Sequence, residues 1–334
     1  MRRLLPLCVL GLLSPAFCVA QSACSVAALP QASKTAIAVR HQLQEQAVGE
    51  NDPRVPPAVA AQLAQMKDAL AQAADAAFAC APANAAPEDL EKILATALHA
   101  NLAQASETVL VTRNKKDLGA YGSDLAVQVF PLFSSPRYYE VNFRYGVECG
   151  DDNLLLIYAA NSGAADSGVA GPATSVSGTT TAGTTAWHPV LRWGAPSYTT
   201  VGDAYGDFVL LTPLSGFPGQ RNWRFVVAHG QPGCAAAAGP SHFDLDLLEP
   251  TADPAQPQVV WHLEHPYRRS DVPRLSTTED TLTFEVSAPE KTGKSGGTAN
   301  GKPNPATVYR FHVGKDNKVD PLVHADNGAA LADR

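Results

Sequence analysis

The apolar residues of this chain recur with one period before residue 105 and with another after residue 125. That change limits what the chain can fold into. From Pro57 onward Val59, Leu63, Met66, Leu70, Ala73 and Ala77 follow one another at steps of four and three. This is the stripe of a helix with one buried face. Pro56 and Pro57 suit its start, because the first turn leaves its N–H groups unsatisfied in any case. The helix should run to about Cys80. A second helix is predicted from Pro87-Glu88-Asp89, with its acids in the first turn, where the helix dipole favours them. Its stripe is Leu90, Ile93, Leu94, Ala97, Leu98 and Leu102. A weaker helix is predicted over 33–47. Residues 24–104 are rich in Ala and Gln and nearly free of aromatics, so the stripes predict the core of a small bundle, with an interaction surface as the alternative. His41 and His99 read as structural or exposed.

From about Leu125 the period becomes two. In "YYEVNFRYGVE" the residues Tyr139, Val141, Phe143, Tyr145 and Val147 share one face, and Glu140, Asn142, Arg144 and Glu148 take the other. That alternation predicts a half-buried strand. "NLLLIYAA" is a continuous apolar run, as a more deeply buried strand requires. Further strands are predicted at "HPVLRW", "DFVLLTPL", "NWRFVVAH", "HFDLDLLE", "QVVWHLEH", "TLTFEVSA", "VYRFHVG" and "KVDPLVH". A faint repeat sets "VLRW…DFVLLTPL…WRFVVAHG…HFDLDLLEP" beside "VVWHLE…LTFEVSAP…YRFHVGK…KVDPLVH". Each half holds four strands, as a propeller blade does, but two or three blades are too few for an ordinary propeller. The fold class expected is α+β: a small N-terminal helical segment followed by a mainly antiparallel all-β domain, a sandwich, barrel or blade-like meander.

The organisation that follows is a signal peptide over 1–20, a helical region over 21–106, a β domain over 107–325 and a tail over 326–334. Segments 161–186 and 291–305 carry almost no large apolar side chain and cannot offset their ordering entropy. Both fall inside the β region and read as loop insertions.

The signal peptide is read from "MRRLLPLCVLGLLSPAFCVAQSACS": a basic start at Arg2 and Arg3, an apolar run from Leu4 to Phe17, and a small residue, Ala20, before Gln21. The run is short for a membrane span and holds two prolines. A lipoprotein signal would need an aliphatic residue ahead of Cys24, where Gln21-Ser22-Ala23 stands. Cys8 and Cys18 would leave with the signal. Cys24, Cys80, Cys149 and Cys234 would remain, an even number suited to two disulfides in an oxidising compartment. Of the three pairings, Cys24–Cys80 and Cys149–Cys234 each stay within one compositional region. No C-x-x-C spacing points to zinc or redox chemistry.

The 25 Lys and Arg stand against 32 Asp and Glu, a net charge of −7. Without Arg2 and Arg3 it is −9, and no basic cluster exceeds a doublet such as Lys115-Lys116. Nucleic acid and an anionic membrane surface are therefore not expected as partners.

Chemistry-bearing groups gather in two stretches. "SHFDLDLLEP" sets His242, Asp244 and Asp246 on one face of a strand and Phe243, Leu245 and Leu247 on the other. Side chains two apart on a strand stand roughly 7 Å from each other, too wide for one ion unless a neighbouring strand contributes. The row is therefore read as the solvated side of a strand. "WHLEHPYRRSD" adds His262, Glu264 and His265; its i, i+3 histidines on a strand do not match a zincin helix. Arg268, Arg269 and Asp271 read as a paired loop. In "GDAYGDF", Asp203 and Asp207 read as turn formers beside glycine. Glu140, Glu148, Asp151 and Asp152 leave a glycosidase reading open without supporting it. No G-x-S-x-G elbow, dinucleotide fingerprint or phosphate loop occurs, so no cofactor is expected. Trp193, Trp223 and Trp261 are assigned to the core.

These observations lead to an exported protein, periplasmic or secreted, whose expected role is binding or scaffolding toward an envelope protein or a small ligand. The alternative is a periplasmic hydrolase, with or without a metal, drawing on His229, His242, Asp244, His262 or Glu264. Convergence of these groups from neighbouring strands within about 6 Å, in a concave pocket, would favour it.

Overall fold

The computed structural model describes residues 27–46, 54–102, 121–132, 138–148, 150–161, 186–200, 203–204, 206, 209–215, 224–230, 241–267, 272–278, 280–287, 307–314 and 318–324. Three helices come first: α1 (Ala28–Gln44), α2 (Pro57–Cys80) and α3 (Pro87–Leu98). The expected start of α1 at residue 33 is five residues late. The α2 and α3 starts fall on the proline signals. α3 stops where His99 takes a left-handed backbone conformation (φ 51°) and the Ala100 N–H returns to the Ala95 carbonyl. Arg40 of α1 donates to the Leu98 and His99 carbonyls, closing that end.

The first sheet contains β1 (Asn101–Leu102), β2 (Ala126–Pro131), β3 (Tyr138–Val147), β4 (Gly150–Ala160) and β5 (Trp187–Gly194), in sequence order. The β1–β2 pair is parallel and the others are antiparallel. The second sheet is the meander β6 (Val209–Ser215), β7 (Arg224–Gly230), β8 (Ser241–Glu249) and β9 (Gln258–Tyr267). The third is the meander β10 (Val272–Thr277), β11 (Thr281–Ser287), β12 (Thr307–Val313) and β13 (Val319–His324). The sequence repeat is therefore real in count and wrong in frame. "HPVLRW" closes the first sheet instead of opening the second, "QVVWHLEH" closes the second, and "VPRLST" opens the third.

The layers are fixed by which faces are apolar. Val59, Leu63, Met66 and Leu70 of α2 pack with Leu90, Leu94 and Leu98 of α3 and with Tyr139, Val141, Phe143 and Tyr145 of β3 in one core. Each such aliphatic side chain removed from water contributes about 1.5–3 kcal/mol. The helices are thus not a separate bundle: they share a core with the first sheet. Phe78 stacks on Tyr158 with centroids 3.9 Å apart, and Trp187 meets it edge-on. Ile93 and Leu102, counted in the α3 stripe, are exposed. Among the described residues no helix is long and apolar enough to cross a membrane.

The opposite face of the first sheet (Leu155, Ile157, Leu191, Trp193) packs against Phe225, Val227 and Leu248 of the second. The other face of the second sheet (Val226, Ala228, Phe243, Leu245, Leu247) packs against Leu282, Phe284, Tyr309 and Phe311 of the third. The second sheet is consequently covered on both sides. β7 is buried along its whole length, which the apolar run Phe225–Ala228 at its centre suits. β8 alternates apolar and acidic residues, yet it lies in the same covered position.

Candidate functional site

The antiparallel register of the second sheet brings side chains from three strands onto one face. His229 of β7 lies opposite Asp244 of β8, which lies opposite Glu264 of β9. One step along, Val227 lies opposite Asp246, which lies opposite His262. His242 continues the β8 row. The face is the one turned toward the first sheet, and Trp193 of β5 meets the His229 ring edge-on at 5.0 Å between centroids.

The row is not the solvated side of a strand. Asp244 is 4% exposed, Asp246 6% and His229 3%. The alternation of β8 was read as polar-out because a two-layer sheet has a wet face, and the first sheet covers that face here. The side chains of His262 and Glu264, on the edge strand β9, remain 53% and 52% exposed. The site is thus closed at His229, Asp244 and Asp246 and open at β9 and at the His242 end of β8.

Asp246 accepts from His262 Nδ1 at 2.8 Å and from His229 Nε2 at 3.3 Å. His262 Nε2 faces Asp244 Oδ1 at 3.8 Å, and His229 Nε2 stands 3.8 Å from Asp244 Oδ2. His242 Nδ1 lies 3.3 Å from Glu264 Oε1. Burial pulls His262 toward neutrality, but the hydrogen bond and charge of Asp246, then the charges of Asp244 and Glu264, hold its pKa above the usual value. Burial pushes Asp246 up, and His229 followed by His262 more than offset it, leaving its pKa low. One ligand atom each from Asp244, His262 and Glu264 lies within 4.8 Å of the others. The spacing along one strand does forbid a shared ion; the neighbouring strand supplies the missing donors.

The other sequence candidates scatter. His265 lies on the opposite face, stacked on Phe243 and bonded to Tyr309. Asp203 accepts the Thr199 and Thr200 N–H groups and shapes a turn. Glu140 and Asp152 lie on opposite faces of the first sheet, so they form no carboxylate pair. Glu148 accepts from Tyr121. Trp193 is buried, and Trp261 is half-buried against Phe311 in the core between the second and third sheets. Residues 1–20, Cys24, Cys149, Cys234, Asp207, Trp223, Arg268, Arg269, Asp271 and the segments 291–305 and 326–334 lie outside the described residues, as does nearly all of 161–186.

A second polar cluster went unread. Lys67 of α2 points into the first sheet, 3.1 Å from Asp152, and donates to the Ala195 carbonyl at 2.7 Å. Tyr145 and Tyr198 both donate to Asp152, and the Lys67 ammonium sits 4.6 Å from the Tyr198 ring centroid. Asp75, two turns on, accepts from Tyr158 and Arg192. One signal was available: Lys67 is i+4 from Leu63 and i−3 from Leu70, inside the apolar stripe.

Compared with protein-family models, with curated proteins and with solved structures, the chain gives no match in any of the three.

Proposed function

We propose that this chain is an exported cell-envelope protein, cleaved after Ala20, and that its mature form is a non-enzymatic binding module. The observation that carries the binding role is the block of His229, Asp244, Asp246, His262 and Glu264, with His242 beside it, held on three adjacent strands. Rigid strands position donors better than loops do, and buried carboxylates are retained at a cost that a packed apolar face would not incur. Export is supported by the basic-apolar-small pattern of residues 1–20. The disulfide framework Cys24–Cys80 and Cys149–Cys234 is part of the same reading.

The second reading is a metal-assisted envelope hydrolase, and the specific observation for it is the convergence of these groups from neighbouring strands. Binding ranks first because the first sheet encloses Asp244 and Asp246, so an approaching substrate meets His262 and Glu264 at the edge and the partly exposed His242 beside them.

Native mass spectrometry of the protein isolated from the envelope without chelators tests this. The expected result is a mature mass beginning at Gln21, a gain of two hydrogens per bridge on reduction, and a non-covalent bound mass that Asp244→Asn loses. A bare protein, or a bound mass that survives Asp244→Asn, would remove the block as the binding seat.

A further inference from the structure

We infer that Asp244, His262 and Glu264 form a site for one divalent first-row transition ion, with Asp246 as its positioning residue. This deepens the binding-module reading above and rests on it.

The hydrogen bonds set the chemistry of the ring. A carboxylate only accepts, so the 2.8 Å contact to Asp246 places the neutral His262 proton on Nδ1. The lone pair is then on Nε2, which faces Asp244. A carboxylate behind an imidazole, fixing its tautomer and raising its basicity, is the arrangement metal-binding histidines use. Asp244 and Glu264 together carry two negative charges, matching a divalent cation, while Asp246 is committed to His262 and His229.

The geometry requires a small closure. Ligand atoms bound at about 2.1 Å in tetrahedral array stand roughly 3.4 Å apart, whereas these three lie within 4.8 Å of one another. The buried Asp244 is the fixed point. His262 and Glu264 are the exposed pair on the edge strand, and with His262 held by Asp246 the contraction falls mainly on Glu264. The open side at β9 leaves the remaining coordination positions to water or a small anion. The imidazole donor favours the zinc-to-manganese series over magnesium and calcium, which prefer oxygen alone.

The test uses the full mature protein, stripped of metal, titrated calorimetrically with Zn2+ and separately with Mg2+. One Zn2+ per chain is expected, bound more tightly than Mg2+. Glu264→Gln and His262→Ala, both at exposed positions, should each weaken Zn2+ by at least about tenfold. Asp246→Asn should weaken it about 10–100-fold and shift the ligand-field bands of the Co2+-loaded protein, which a merely structural carboxylate would leave in place. His312→Ala, an imidazole 3.6 Å from Asp280 on the third sheet, should change nothing. Absence of stoichiometric binding, or full affinity in both Glu264→Gln and His262→Ala, overturns the inference. If no ion binds but an envelope-derived organic mass is still lost in Asp244→Asn, the cation fails and the binding seat stands; if neither is seen, both fail.

Discussion

Replacing Lys67 by methionine should destabilise the protein by about 3–5 kcal/mol, the loss that follows removal of one partner from a buried ion pair. Burial pushes the Lys67 pKa down, and the charge and hydrogen bond of Asp152 oppose that shift. Asp152 is fully enclosed, and its carboxylate is set between the ammonium and the Tyr145 and Tyr198 hydroxyls. Methionine fills the same volume but leaves that carboxylate without its cation. The damage should therefore come from Asp152 and not from lost packing. Lys67→Met combined with Asp152→Asn tests this, because the amide keeps an acceptor for the tyrosines and carries no charge. Urea unfolding at neutral pH should show the single variant with a lowered midpoint and an unchanged slope, and the double variant recovering most of the loss. A positive coupling of this kind is what neighbouring, interacting sites give in a double-mutant cycle. A loss below about 1 kcal/mol for Lys67→Met would mean that water reaches the pair, as at an exposed salt bridge.

Local periodicity carried most of the elements, and layering carried most of the surprises. The α2 stripe from Val59 to Ala77 is legible because a helix with one buried face must repeat near 3.6, and all six stripe residues are buried. β3 was legible for the same kind of reason, at a period of two, and β4 from its continuous apolar run. What periodicity does not reveal is what lies above the polar face. Glu140 on β3 and Asp244 and Asp246 on β8 all alternate with apolar neighbours, as residues on a wet face do. All three are nevertheless buried, because the first and second sheets pack those faces together. β10 was missed because "VPRLST" has little apolar content and a proline early in the strand. The candidate site was half legible. His242, Asp244, His262 and Glu264 were singled out by residue type, but their meeting depends on the pairing of Asp244 with Glu264 and of Asp246 with His262. No spacing within one strand encodes that register. Lys67 was passed over although its place in the α2 stripe already required a buried counter-charge.

Glu140 gives the protein its largest expected pH dependence. It is 3% exposed, lies between Phe130 and Ile157 in the sheet register, and faces the apolar layer of Leu191, Phe225 and Val227. Burial raises its pKa from 4.5 to about 8. Below 4.5 the carboxyl is protonated in both folded and unfolded chains and costs nothing. Between 4.5 and about 8 the unfolded chain has released the proton while the folded chain holds it, so stability falls as pH rises, by about 1.4 kcal/mol per unit. Above about 8 both states are ionised and the slope ends. The accumulated loss is about 5 kcal/mol. Glu140→Gln removes the titration and keeps the shape. Urea unfolding from pH 4.5 to pH 8.5 should show wild type and variant close together at the acid end, then diverging until the variant is the more stable by about 3–5 kcal/mol. Titration of Asp246 and His262 is common to both proteins and cancels in the difference. Parallel curves across the range would mean that Glu140 ionises near its ordinary pKa, and that water enters between the first and second sheets. That result would also undercut the enclosure assigned to Asp244 and Asp246, which depend on the same inter-sheet layer.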